Sequence, residues 1–250
     1  MNKTKQLITI LKKYQTEFHP VVPFNAEQDK LLLFDFSENN KEIPGNILDD
    51  TDQFIGYVNN KLQTANAKFG IGGYVENRKI YSQSKLFDGS QVSTNGGDLP
   101  TGQAGLEGAE PRRLHLGVDI WGKPHTPVMA PLDGIVHSFA FNNNFGDYGV
   151  TIILTHILDD FSFHTLYGHL SLNDIKNLHE GQRIEKEEVF AEFGIPIENG
   201  HWPPHLHFQI IIDLEDYKGD YPGVCKFSEK EKYLSNCPDP DLILQMIKYV

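Results

Sequence analysis

Cysteine is scarce in this 250-residue sequence: Cys225 and Cys237 are the only two. Their spacing matches no zinc-finger pattern, and nothing else marks a secreted disulfide scaffold, so free thiols are expected. Long apolar runs are also missing; no stretch approaches the roughly 20 residues of a membrane span. Positive charge is in deficit, with 22 Lys and Arg against 34 Asp and Glu and a net charge of −12. That balance disfavours a nucleic-acid partner, because phosphate contacts need a basic face. Residues 1–18 place Lys3, Lys5, Lys12 and Lys13 around apolar residues at 7, 11, 14 and 18, which is helical spacing. The segment has no uninterrupted apolar centre and no small-residue cleavage site, so it reads as an amphipathic helix rather than a signal peptide. The default location is then cytoplasmic, with a non-standard export route open. There is no internal repeat. Gly70, Gly72 and Gly73 lack the G-x-G-x-x-G spacing of a nucleotide loop, and a tight turn or close packing is expected there.

What the chain does have is core-forming material, 39% hydrophobic and 11% aromatic residues. Its length suits one large domain or a catalytic domain with a smaller companion. Residues 1–87 read as an α+β region of unknown role, with a strand at 31–34 and a helix at 51–62 capped by Thr51 or Asp52. Residues 88–110 hold six glycines among Ser, Thr, Asn and Gln, a linker or long surface loop. Residues 111–250 form the third segment. Strand candidates there fall at 128–130, 134–141, 150–156, 161–167, 183–184, 189–193 and 206–212, with a polar hairpin loop at 142–149. The spacing predicts a mainly β fold, an antiparallel sandwich or barrel-like catalytic domain behind the N-terminal α+β region. A closing helix is expected at 242–249, and Arg112 and Arg113 are expected in solvent.

Three histidine-bearing elements carry the chemistry. His205-Leu206-His207 opens an apolar, β-branched run, so both imidazoles face one side of a stiff strand. One can hold a metal while the other stands beside its open position. His115 and Asp119 share a side at an even offset, but their Cα atoms would lie about 13 Å apart in a straight strand. Gly117 between them is where a bend costs least, and a bent strand end is predicted. His, Asp and His make a three-ligand zinc set with a fourth position for water, whose pKa zinc lowers to about 7. His169 follows Gly168 at a strand end, where with the H-x-H pair it can take a water proton or stabilise an oxyanion. His125, His137, His156, His164, His179 and His201 read as surface or core residues, with His201 near enough to line the cleft.

In the order HLGVD, YGHLS and HLHF, residues 115–212 resemble the M23 family of zinc endopeptidases, the lysostaphin and LytM type that cut peptidoglycan peptides. Residues 126–136, the Gly-Tyr-Gly hairpin at 145–150 and Gly181-Gln182-Arg183-Ile184 are similar to further family segments. The resemblance implies zinc bound by His115, Asp119 and His207, with His169 and His205 as catalytic histidines. Glu188 stands where the family often has glycine, and Trp202-Pro203-Pro204 replaces a Gly/Ser-rich approach to H-x-H. Both departures touch the cleft wall and bear on substrate preference. The implied partner is a peptide, peptidoglycan-derived in the first instance. The alternatives are a cytosolic peptidase or amidase acting on recycled muropeptides, and a non-catalytic wall- or partner-binding module. A side chain from 88–110 is a further expected occupant of the metal's fourth position. Nothing in the sequence reports oligomeric state.

Overall fold

Asn2 caps the first helix, its side chain accepting from the Thr4 amide at 2.9 Å, and α1 runs Lys3–Lys13. The apolar spacing predicts helix as far as residue 18, but the helix stops at Tyr14. The Tyr14 amide caps it by bonding the Ile10 and Leu11 carbonyls. Downstream, His19 precedes Pro20, a position that disfavours helical backbone. The computed structural model describes residues 2–48, 50–88 and 110–250. The glycine-rich stretch lies almost wholly outside them, and so does any cover it provides.

Strands dominate the remainder, as their turn-punctuated spacing predicts. In chain order they are β1 (Leu31–Leu33), β2 (Phe69–Gly72), β3 (Arg112–His115), β4 (Val118–Trp121), β5 (Pro127–Met129) and β6 (Gly134–Asn142). Then come β7 (Gly149–Leu158), β8 (Phe161–Leu170), β9 (Arg183–Ile184), β10 (Val189–Glu192), β11 (His205–Ile211) and β12 (Val224–Lys226). Eight of them form one sheet in the order β1-β2-β4-β11-β8-β7-β6-β9. All its pairings are antiparallel except β1 with β2, and its two edges do not meet, so the sheet is open rather than a closed barrel. Two-stranded ribbons, β5 with β10 and β3 with β12, complete the β structure.

The N-terminal region contributes directly to this sheet. β2 pairs with β4, Gly72 opposite Asp119, and β1 pairs with β2. Between them α2 (Thr51–Ala65) starts at Asp50, whose carboxylate accepts from the Asp52 and Gln53 amides. Leu7 and Leu11 of α1 join the core that contains Ile71, Ile120, Phe208 and Ile210. A second cluster packs Phe34, Phe36, Phe54 and Val58 against Trp121 and Trp202.

Period-two alternation decides which face holds chemistry. On β11, Leu206, Phe208 and Ile210 enter the main core, and so do Val118 and Ile120 of β4. The opposite face therefore carries His205, His207 and Gln209 beside Asp119 and Trp121. The ribbon of β5 and β10 places Val128 and Ala191 in the main core as a second layer. No helix among the described residues is long and apolar enough to cross a membrane.

Two local expectations are corrected. Arg113 is not solvated: its guanidinium bonds Asp88 and the Tyr81 carbonyl, while Arg112 bonds the Leu86 carbonyl and lies over Phe87. The chain end is not one helix. α3 (Lys230–Leu234) and α4 (Asp241–Leu244) are short, and Gln245 takes a left-handed conformation (φ 53°) before a 3₁₀ turn at Ile247–Tyr249. Cys225 and Cys237 are buried and unpaired.

Candidate metal centre

His115 and Asp119 do not share a strand. His115 ends β3, which pairs with β12, and Asp119 lies in β4 of the large sheet. Leu116 and Gly117 carry the chain from one sheet to the other, which is the predicted bend. Gly117 has no positive φ; its need is space. A Cβ there would lie 2.5 Å from His207 Cε1 and 2.9 Å from the Phe208 carbonyl oxygen. The antiparallel register sets His207 directly opposite Asp119, so these two meet as cross-strand neighbours.

Three donor atoms converge: His115 Nε2, His207 Nδ1 and Asp119 Oδ1. The two nitrogens are 2.9 Å apart, and Asp119 Oδ1 is 3.4 Å from His115 Nε2 and 3.1 Å from His207 Nδ1. All three residues are buried. Their other polar atoms are committed elsewhere, and those partners set the tautomers. His115 Nδ1 lies 2.9 Å from the Gly73 carbonyl, an acceptor only, so Nδ1 carries the proton and Nε2 its lone pair. Gln209 Nε2 donates to the Pro222 carbonyl at 3.2 Å, which turns Oε1 toward His207 Nε2 at 2.9 Å. That nitrogen is then the protonated one, and His207 Nδ1 presents a lone pair. Two lone pairs and a carboxylate oxygen facing each other in a buried site repel unless a cation lies among them. This donor set, nitrogen and oxygen without thiolate, fits a divalent metal of the zinc type.

Electrostatics agree. Burial pushes the His115 imidazole down to about 3, which keeps it the neutral form a metal ligand requires. Burial opposes the Asp119 charge, but the buried Arg78 guanidinium paired with it helps to hold that carboxyl well below the usual carboxylate range.

The other two predicted histidines stand beside this cluster. His205 Nδ1 is 2.7 Å from the Pro203 carbonyl and His169 Nδ1 is 2.8 Å from that of Asn199, so each has a free Nε2. Their ring centroids are 4.0 Å apart, and His205 stacks on Trp121 at 3.9 Å. His205 Nε2 is 3.9 Å from Asp119 Oδ2. Burial lowers the His205 pKa to about 4 and keeps that of His169 well below the ordinary imidazole value. His169 takes a left-handed conformation (φ 65°) where the β7–β8 register shifts, a bulge that turns its ring out of the strand's alternation. A cleft of about 570 Å³ opens on the group, with Tyr148, Trp202, Tyr217 and Arg112 among its walls.

Several contributors escape sequence reading. Arg78, Gly73 and Asn199 have no local signature. Gln209 has one: it is the polar residue two after His207 on an otherwise apolar strand. Of the remaining histidines, His156 is buried in the sheet, His164 and His137 contact each other, and His201 stacks on Phe145 near the cleft.

Known proteins share part of this chain's sequence. The family model for Peptidase family M23 matches residues 113–218 of this chain. A relative described as an uncharacterized metalloprotease from Haemophilus influenzae is 36% identical over 102 residues, covering 40% of this chain and 19% of its own length. The chain thus spans about a fifth of that relative. Among solved structures, the antimicrobial peptidase lysostaphin from Staphylococcus simulans is similar at 26% identity, covering 55% of this chain and 45% of its own (TM-score 0.35). A zinc-containing peptidase from Vibrio cholerae is similar at 25% identity, covering 39% and 27% (TM-score 0.32).

Proposed function

We propose that this protein is a zinc-dependent endopeptidase acting on peptidoglycan or peptidoglycan-derived peptides. The observation that carries the reading is the buried convergence of His115 Nε2, His207 Nδ1 and Asp119 Oδ1 with every tautomer set by an outer partner. A non-catalytic binding module has no use for a complete donor set flanked by two free imidazole bases.

His115, Asp119 and His207 would hold the metal. Bound zinc activates a water at neutral pH and polarises a carbonyl. The chain's own task is proton traffic. Peptide hydrolysis moves a proton from the attacking water to the leaving amine. His205 Nε2 and His169 Nε2 are the free acceptors beside the donor cluster, since their Nδ1 protons are held by the Pro203 and Asn199 carbonyls. His205 takes the water proton, and the His169–His205 pair returns it to the amine. The stack of Trp121, His205 and His169 keeps the two rings oriented between turnovers.

The test combines metal content with product identity. Purified protein should hold about one zinc per chain and lose activity with chelator. His207→Ala should lose the metal. His205→Ala should keep it while turnover falls about 10²- to 10⁴-fold. A fully active Asp119→Ala variant would refute the assignment. Mass spectrometry of products from intact sacculi and from soluble muropeptides separates wall lysis from hydrolysis of recycled fragments.

A further inference from the structure

Arg78 lies outside the stretch that matches the family model, yet its guanidinium is at the metal centre. It is 1% exposed. A buried cation beside a cation site is unfavourable unless its geometry serves the site. Here each part of the guanidinium has a partner. Nη1 donates to Asp119 Oδ2, Nε donates to Glu76 Oε2 at 2.6 Å, and Nη2 donates to the Gly72 carbonyl at 3.3 Å. Glu76 is itself anchored, its Oε1 accepting from the Phe36 amide at 3.0 Å.

The division of Asp119 is the informative feature. Oδ1 faces His115 and His207, and Oδ2 faces Arg78. A carboxylate held by one oxygen cannot rotate, and it offers only the other to an ion. Gly73 shows how tightly this is built. A Cβ there would lie 1.8 Å from Arg78 Nη2 and 2.9 Å from His115 Nδ1, and its φ of +105° favours glycine. The Gly73 carbonyl meanwhile accepts the His115 Nδ1 proton. Two of the three donors are therefore oriented from residues 72–78.

We propose that Arg78 is a positioning residue that fixes Asp119 as a one-oxygen ligand, making the turn at 72–78 a working part of the metal centre. The inference rests on the metal-dependent reading above. Outer partners of this kind typically change metal affinity about 10- to 100-fold.

The test uses the full chain with Arg78→Lys, which keeps charge but loses the planar fork, and Glu76→Gln, which loosens the fork's anchor. The readouts are zinc affinity by chelator competition, the visible absorption of the Co²⁺-substituted protein, and near-ultraviolet circular dichroism. Arg78→Lys should bind zinc about 10- to 100-fold more weakly and shift the Co²⁺ bands, with Glu76→Gln moving both the same way by less. Should Arg78→Lys fail to fold, Glu76→Gln decides alone. Unchanged affinity and an unchanged Co²⁺ spectrum, with wild-type protein binding metal normally, would overturn the inference and leave the peptidase reading standing. Tighter metal binding or faster turnover would also overturn it, by making Arg78 a plug. Wild-type protein that takes up no metal removes the underlying reading and the inference together.

Discussion

Gly117 carries no side chain because the His207 imidazole occupies that room. Gly117→Ala should therefore fold, displace His207 and weaken zinc binding by at least about tenfold, read by chelator competition; wild-type affinity would refute the packing argument. Gln209 acts on the same ring from the other side, holding the proton on His207 Nε2. Gln209→Leu frees the tautomer choice and leaves Pro222 without its donor. Its zinc affinity should fall about 10- to 100-fold, and the stranded Pro222 carbonyl should lower the melting temperature as well. The reading of His205 and His207 from the sequence needed only strand periodicity, whereas Gln209's role needed the Pro222 carbonyl, thirteen residues away.

At the scale of elements, the segment between β10 and β11 is organised by one buried side chain. Asn199 Nδ2 donates to the Gly194 and Trp202 carbonyls, and Oδ1 accepts from the Trp202 amide. The Asn199 carbonyl also receives the His169 Nδ1 proton. Asn199→Ala removes three buried hydrogen bonds and strands their partners, which should destabilise the fold by about 3 kcal/mol in urea unfolding. Turnover should drop with it, because the backbone carbonyl of residue 199 that orients His169 loses its side-chain anchors to Gly194 and Trp202. The strands themselves were legible from apolar runs and turn residues. Two elements were not: α1 ends early, and the C-terminal segment breaks at Gln245. In both places backbone conformation overrides apolar spacing.

For the whole molecule, the N-terminal region and the histidine-bearing part share one sheet and one core. A fragment covering 110–250 would expose the β4 edge and the apolar face that receives Leu7 and Leu11. It should melt without a cooperative transition; a sharp calorimetric peak from that fragment would show that the part folds alone. Acid sensitivity is the second global property. His156 is buried in the sheet, and burial brings its pKa down from 6.5 to about 4. As pH falls, the unfolded chain takes up this proton first, so the stability this group contributes is fully present above about pH 6.5 and is lost progressively toward pH 4. The loss from this group is on the order of 3 kcal/mol. His156→Gln should make the unfolding free energy fall less steeply across that window, measured by denaturant titration at stepped pH.

The amino-acid order alone determined the mainly β character and the bend between His115 and Asp119, and it pointed to the five candidate residues His115, Asp119, His169, His205 and His207. These follow from short-range rules: side-chain alternation, glycine at bends, and residue types suited to a metal. Only the tertiary structure decided that β2 lies against β4, that Arg78 reaches Asp119, and that Gly73, Gln209 and Asn199 set the imidazole protons. Those contacts join residues far apart in the chain. Their geometry depends on register and close packing, which no local pattern of residues encodes.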